Sequence, residues 1–139
     1  MHALASLNPI AILVVSVLGF LIGGLWFSKL LFVMAWLKEM KLTSEMAKAQ
    51  SKGAARTMGP AFLLTIVSTT ALATLLAGLH VSSPLRGAEL GLLVGVGLVA
   101  AREGVNGIFE NRTLRHFMIV AGHDVVLLAV QGAILAVWR

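Results

Sequence analysis

Arg86-Gly-Ala-Glu-Leu-Gly-Leu-Leu-Val-Gly-Val-Gly-Leu-Val-Ala-Ala-Arg102-Glu103-Gly-Val-Asn106-Gly-Ile-Phe-Glu110 is the stretch whose reading decides how this chain folds. Fifteen residues separate Arg86 from Arg102. As a helix they rise only ~22 Å, short of the ~30 Å hydrocarbon core of a bilayer. If Arg102 marked the membrane edge, the segment would be too short to cross. The helical pattern runs on through Glu103 and Asn106, however, and a helix over about 86–110 is long enough. It then carries Arg102 and Glu103 within the bilayer, where each charge costs at least a few kcal/mol unless it faces protein or water.

The 139 residues as a whole have the composition of a membrane protein: 58% hydrophobic, 12% charged, mean hydropathy +0.93. Soluble domains run at roughly 45–50% apolar and about 25% charged. A soluble domain this short could not hide so much apolar side chain, because small domains leave much of their surface wet. A disordered, collagen-like or typical cytosolic chain is thereby excluded. The length admits one integral membrane domain of about four spans, with no large catalytic domain outside the bilayer. The absence of cysteine excludes disulfides, iron–sulfur clusters and thiolate metal sites. The net charge of +5 would suggest nucleic acid on a soluble protein. Here the Lys and Arg residues flank apolar runs, which is how membrane proteins set their orientation. The expected partners are therefore the lipid bilayer and further copies of the chain, without nucleic acid.

Four transmembrane helices in a bundle are expected, at about 9–29, 57–79, 86–110 and 115–138, with a polar loop over 38–56. The first run is apolar from Ile10 to Phe27 and has no Lys or Arg before it. A secretory signal would start with a basic residue and end in small residues, so this run reads as a retained span. Trp26 and Trp36 suit the headgroup belt, and apolar Leu30 to Leu37 extends the helix into the interface. Within the loop, Thr43 can cap and Gly53 can end a short amphipathic helix on the membrane surface. The second span tolerates Pro60 in its first turn. Its hydroxyls, Thr65, Ser68, Thr69 and Thr74, can bond back to the helix's own carbonyls. Counting Lys and Arg near the span ends puts both polar connections in the cytoplasm and both termini outside.

Spans three and four carry the candidate site. Glu103, Asn106 and Glu110 share one helical face. His116, His123, Asp124 and Gln131 share another. An antiparallel hairpin turning near Arg112–Thr113 would set Glu110 opposite His116, Glu103 opposite His123, Arg102 opposite Asp124 and Gln131 opposite Gly95. Gly87, Gly91 and Gly95, four residues apart, read as a helix-packing face, and Gly19 and Gly23 form a weaker pair. No His-x-x-His or Glu-x-x-His spacing supports a metal, so none is expected; no cofactor is legible. Gly91-Leu-Leu-Val-Gly95-Val-Gly97 follows no strand and is not a dinucleotide turn.

The segment Gly23-Gly-Leu-Trp26-Phe-Ser28-Lys-Leu-Leu-Phe32-Val-Met-Ala-Trp36, with Asn106-Gly-Ile-Phe109-Glu110-Asn-Arg112 later, resembles a domain-of-unknown-function family of small bacterial four-span membrane proteins. That family's first helix ends in G-x-x-W-[YF]-S-x-x-x-F-x-x-x-W. Phe27 stands where the family often has Tyr. The resemblance implies a four-span architecture in a bacterial inner membrane and no reaction. Three functional classes fit the polar residues. One is small-solute or proton-coupled transport around an Arg/Glu/His/Asp cluster. Another is a membrane-embedded acid–base enzyme acting on a lipophilic substrate. The last is a non-catalytic subunit or scaffold that the charges hold together. Whether the chain is an enzyme is not legible.

Overall fold

A computed structural model of the protein describes residues 7–43, 45, 46, 48 and 53–138. The described residues are helical, with no strand among them. The helices are α1 (Pro9–Trp26), α2 (Val33–Glu39), α3 (Ala54–Gly78), α4 (Pro84–Val94), α5 (Ala101–Phe109) and α6 (Leu114–Val137). A π-helical segment, Gly95–Ala100, joins α4 to α5. Four helical runs are long and apolar enough to cross a membrane: Pro9–Trp26, Arg56–Gly78, Pro84–Phe109 and Leu114–Val137. The protein is an all-α membrane protein whose four spans pack together.

Local chemistry sets the helix ends. The Asn8 carboxamide oxygen accepts from the N–H groups of Ile10 and Ala11 at 3.0 and 3.3 Å, and Pro9 takes the first helical position. Thr113 caps α6 in the same way, accepting from His116 N–H at 3.1 Å. At the other ends, Lys41, His80 and Asn111 take left-handed φ values of 55°, 53° and 54°. Each turns the chain so that the next amide reaches back into the helix, as Arg112 N–H does to Gly107 O at 2.8 Å.

The last span is the hub. α6 packs against every other described helix, and most closely against α4. The core joins Ile12 and Val15 of α1, Leu72, Ala73 and Leu76 of α3, and Leu128, Leu135 and Ala136 of α6. Outside it, large apolar side chains such as Leu63, Leu64 and Val67 stand exposed along α3. Lipid, rather than water, is the solvent such a surface fits.

Three details depart from the sequence reading. The first helix does not continue through Leu37; it stops at Trp26, and the chain makes an elbow before α2 restarts at Val33. Ser28 organises that elbow: its hydroxyl accepts from Leu30 N–H, and its carbonyl accepts from Leu31 and Val33. Pro60 lies inside α3 rather than in its first turn, because the helix begins at Ala54. Without an N–H, Pro60 cannot donate to the Arg56 carbonyl four residues back. Of the surface helix expected over 43–53, most lies outside the described residues. Its cap is seen, with the Thr43 hydroxyl accepting from Met46 N–H at 3.2 Å.

Candidate functional site

The glycine face packs within the chain. A Cβ added to Gly91 would stand 2.1 Å from Leu128 O, and one on Gly87 would stand 2.2 Å from Gly132 O. At Gly95 the nearest atom would be Val125 Cα, at 3.0 Å. Here α4 and α6 touch backbone to backbone, a contact only hydrogen side chains permit.

This contact also fixes the hairpin register, and it is not the expected one. Gly95 faces Val125, six residues earlier than Gln131. The chain turns at Glu110–Asn111, where Asn111 adopts the left-handed conformation, instead of at Arg112–Thr113. The π segment then takes up further length on the α4 side, since its wider turns hold more residues per unit rise. The three acid–base pairings expected across the hairpin consequently do not form among the described residues. Glu110 instead binds its near neighbour Arg112 at 3.1 Å. Arg102 and Asn106 are exposed, Glu103 is half-buried, and neither Arg102 nor Glu103 has an ion-pair partner among the described residues.

Depth explains how Arg102 and Glu103 persist without partners. With the middle of α6 at the bilayer midplane, the stretch of α6 level with them, near Phe117 and Met118, lies ~11 Å away at 1.5 Å per residue. That is close to the edge of a ~30 Å core, within reach of a snorkelling side chain. His123 and Asp124, by contrast, sit within ~4 Å of the midplane.

Those two neighbours bond to each other. His123 Nδ1 and Asp124 Oδ1 are 2.7 Å apart. Adjacent residues point about a quarter-turn apart on a helix, and the imidazole closes that gap by swinging along the helix. With the carboxylate accepting, Nδ1 carries the proton and Nε2 presents its lone pair. That Nε2 is buried and has no hydrogen-bond partner among the described residues.

Helix α1 is notched to receive these polar groups. A Cβ on Gly23 would lie 3.2 Å from His123 Nε2, and one on Gly19 only 2.7 Å from Gln131 Nε2. Gln131, buried at 2% exposure, donates to Thr69 Oγ1 of α3 at 3.0 Å and approaches Val15 O of α1 at 3.4 Å. It thereby ties three helices together. Thr69 spends its own proton on Thr65 O at 2.8 Å, so its oxygen is free to accept. Thr65, Thr70 and Thr74 also donate to carbonyls four residues back. His116 is buried at the start of α6, and its Nδ1 lacks a partner among the described residues.

The Trp-Phe-Ser elbow walls in His123. Its ring lies 6.0 Å from the Trp26 ring and 5.4 Å from the Phe27 ring, centroid to centroid. Trp26 packs on Phe32 at 4.8 Å, and Phe27 meets Trp36 edge to face at 5.9 Å. The Trp26 indole N–H is used inward, donating to Ile119 O of α6 at 3.0 Å, and not only in the headgroup belt. At the same end the Thr113 hydroxyl donates to Glu39 of α2, and Arg112 reaches Met40 Sδ. His123, Asp124 and Gln131, with Thr65 and Ser68 of α3, line a cavity of about 350 Å³. Among the described residues, no three His, Asp or Glu side chains are grouped to hold a metal.

Sequence reasoning missed Thr69 and Ser68 as partners of the site and underrated Gly19 and Gly23. The signal for the glycines was present: each stands at a depth where α6 offers a long polar side chain.

The fold and this polar interior define a small multi-pass membrane protein with an ionisable pair at mid-depth. The chain belongs to the DUF1761 family, proteins of unknown function, whose pattern it matches over residues 10–136. Comparison with curated proteins and with solved structures gives no match.

Proposed function

We propose that the protein is a small proton-coupled transporter in which His123 takes up and releases the proton. The observation that carries this reading is the buried Nε2 of His123. Asp124 fixes the opposite ring nitrogen, and Nε2 is left as an unsatisfied base near the midplane. A buried orphan costs about 1–3 kcal/mol. Gln131 Oε1 and His116 Nδ1 are orphans among the described residues too, but of the three only His123 Nε2 belongs to a ring held by a carboxylate. A proton, or a solute N–H or O–H, is what this nitrogen lacks. Imidazole is the side chain suited to exchanging a proton near neutral pH. The neighbouring cavity, lined by hydroxyls, an amide and Asp124, has room for a small polar solute beside the dyad.

The π segment supports the same reading. One-turn π distortions inside α-helices recur at functional sites. This one contributes Val99 to the cavity wall. The wider assignment is a bacterial inner membrane, with the termini outside, as the Lys and Arg bias argues. Bilayer lipid and a second copy of the chain are its partners.

The test uses proteoliposomes loaded with pyranine, a pH dye, and challenged with panels of small amines, amino acids and sugars. Acidification of the lumen with at least one solute class is expected, abolished in His123→Gln and reduced at least tenfold in Asp124→Asn. Wild-type traces identical to empty liposomes across the panel would sink the proposal.

A further inference from the structure

A second concavity lies away from the dyad, between α6, the elbow and the π segment, with a volume of about 710 Å³. Its walls are apolar, with Trp26, Phe117 and Met118 towards one end and Val96 and Val126 towards the other. One charged side chain lines it, Arg115. We infer that this groove binds one anionic phospholipid, its phosphate on Arg115 and an acyl chain along the apolar wall.

Length, charge and position each argue for that occupant. Arg115, Met118, Gly122 and Val126 form one stripe of α6, spanning twelve residues and a rise of ~16 Å. Half of a ~30 Å hydrocarbon core is ~15 Å, the reach of one leaflet's chains. The stripe starts at the membrane edge, at Arg115, and ends near the midplane, at Val126. A groove of one leaflet's length, open to the bilayer and capped by a cation at headgroup depth, matches a phospholipid in shape and charge.

Arg115 is also uncommitted. It is exposed and makes no ion pair among the described residues. Of the carboxylates at this end, Glu39 binds Thr113 and Glu110 binds Arg112, and Glu103 makes no ion pair with Arg115. Arg offers several N–H donors in a fixed fork that matches phosphate oxygens, and a single basic residue at an anionic surface strengthens binding about five-fold.

Trp26 supplies the reporter. In a Trp36→Phe/Trp138→Phe background it is the remaining tryptophan. Its fluorescence is to be titrated, in vesicles, with phosphatidylglycerol or phosphatidylcholine brominated in the acyl chain. Half-quenching is expected at about five-fold lower mole fraction for the anionic lipid. Arg115→Gln should bring the two lipids together, whereas Arg115→Lys should keep most of the difference. Val126→Phe fills the deep end of the groove and should weaken quenching by both. Equal quenching of the wild type by the two lipids would overturn the inference. So would a preference that survives Arg115→Gln, or quenching that Val126→Phe leaves unchanged. Inorganic phosphate should not displace the brominated lipid; if it does, the site holds a free anion and the lipid assignment is wrong.

Discussion

His123 is held from three sides, and each contact predicts a different response to substitution. Asp124 fixes its Nδ1 at 2.7 Å, Gly23 leaves space at Nε2, and Phe27 and Trp26 close the ring in. His123→Gln and Asp124→Asn are therefore expected to be coupled. In a double-mutant cycle read by thermal melting in detergent, the interaction energy should fall in the range of about 0.5–3 kcal/mol. Glu103→Gln paired with His123→Gln should instead be additive to within about 0.5 kcal/mol, because the hairpin register keeps those residues apart. Coupling between Glu103 and His123 would reinstate the pairing the sequence suggested. Gln131 allows a simpler check. Thr69→Val removes the oxygen that accepts from Gln131 Nε2, leaving only the long contact to Val15 O. The expected cost is about 1–3 kcal/mol, the penalty of a buried amide donor without a partner. A melting temperature equal to wild type would mean that Gln131 is satisfied elsewhere.

Between helices, the contact of α4 with α6 depends on particular glycines and not on glycine content. Gly91→Ala would drive a Cβ to 2.1 Å from Leu128 O, where a backbone atom cannot step aside. Overpacking of this kind costs about 1–3 kcal/mol or more. Gly24 of α1 meets nothing within 4 Å, so Gly24→Ala should stabilise by up to about 1 kcal/mol. Melting curves of the two variants should move in opposite directions, and equal shifts would contradict the packing described. The glycine face was legible because small residues at a four-residue interval signal close helix approach in any membrane protein. The spans were legible from uninterrupted apolar runs. The register was not: Asn tolerates the left-handed conformation and so marks Asn111 as a candidate turn, but no residue type announces the π segment at Gly95–Ala100. The pairing of His123 with Asp124 was hidden for a related reason. Helical spacing shows which side chains share a face, but not that adjacent ones can bend towards each other. The elbow after Trp26 was masked by composition, since Leu30 to Leu37 is as apolar as the helix before it.

At the scale of the whole molecule, the proposed proton transport depends on orientation, because a carrier needs two sides of defined polarity. The excess of Lys and Arg on the connection between α2 and α3 predicts a cytoplasmic place for that connection. A Glu45→Cys variant introduces the one thiol of the chain. It should resist an impermeant maleimide added to intact cells and react once the cells are opened; labelling of intact cells would reverse the topology. The central claim, that Asp124 holds His123 with a free Nε2 inside the bilayer, is tested most directly by solid-state ¹⁵N NMR. The protein would be labelled at histidine, reconstituted in lipid, and His123 assigned by difference from His123→Gln. The account predicts a proton on Nδ1 and none on Nε2 in the neutral ring, and loss of that fixed tautomer in Asp124→Asn. A His123 protonated at Nε2 alone, or one whose signals Asp124→Asn leaves unchanged, would contradict it.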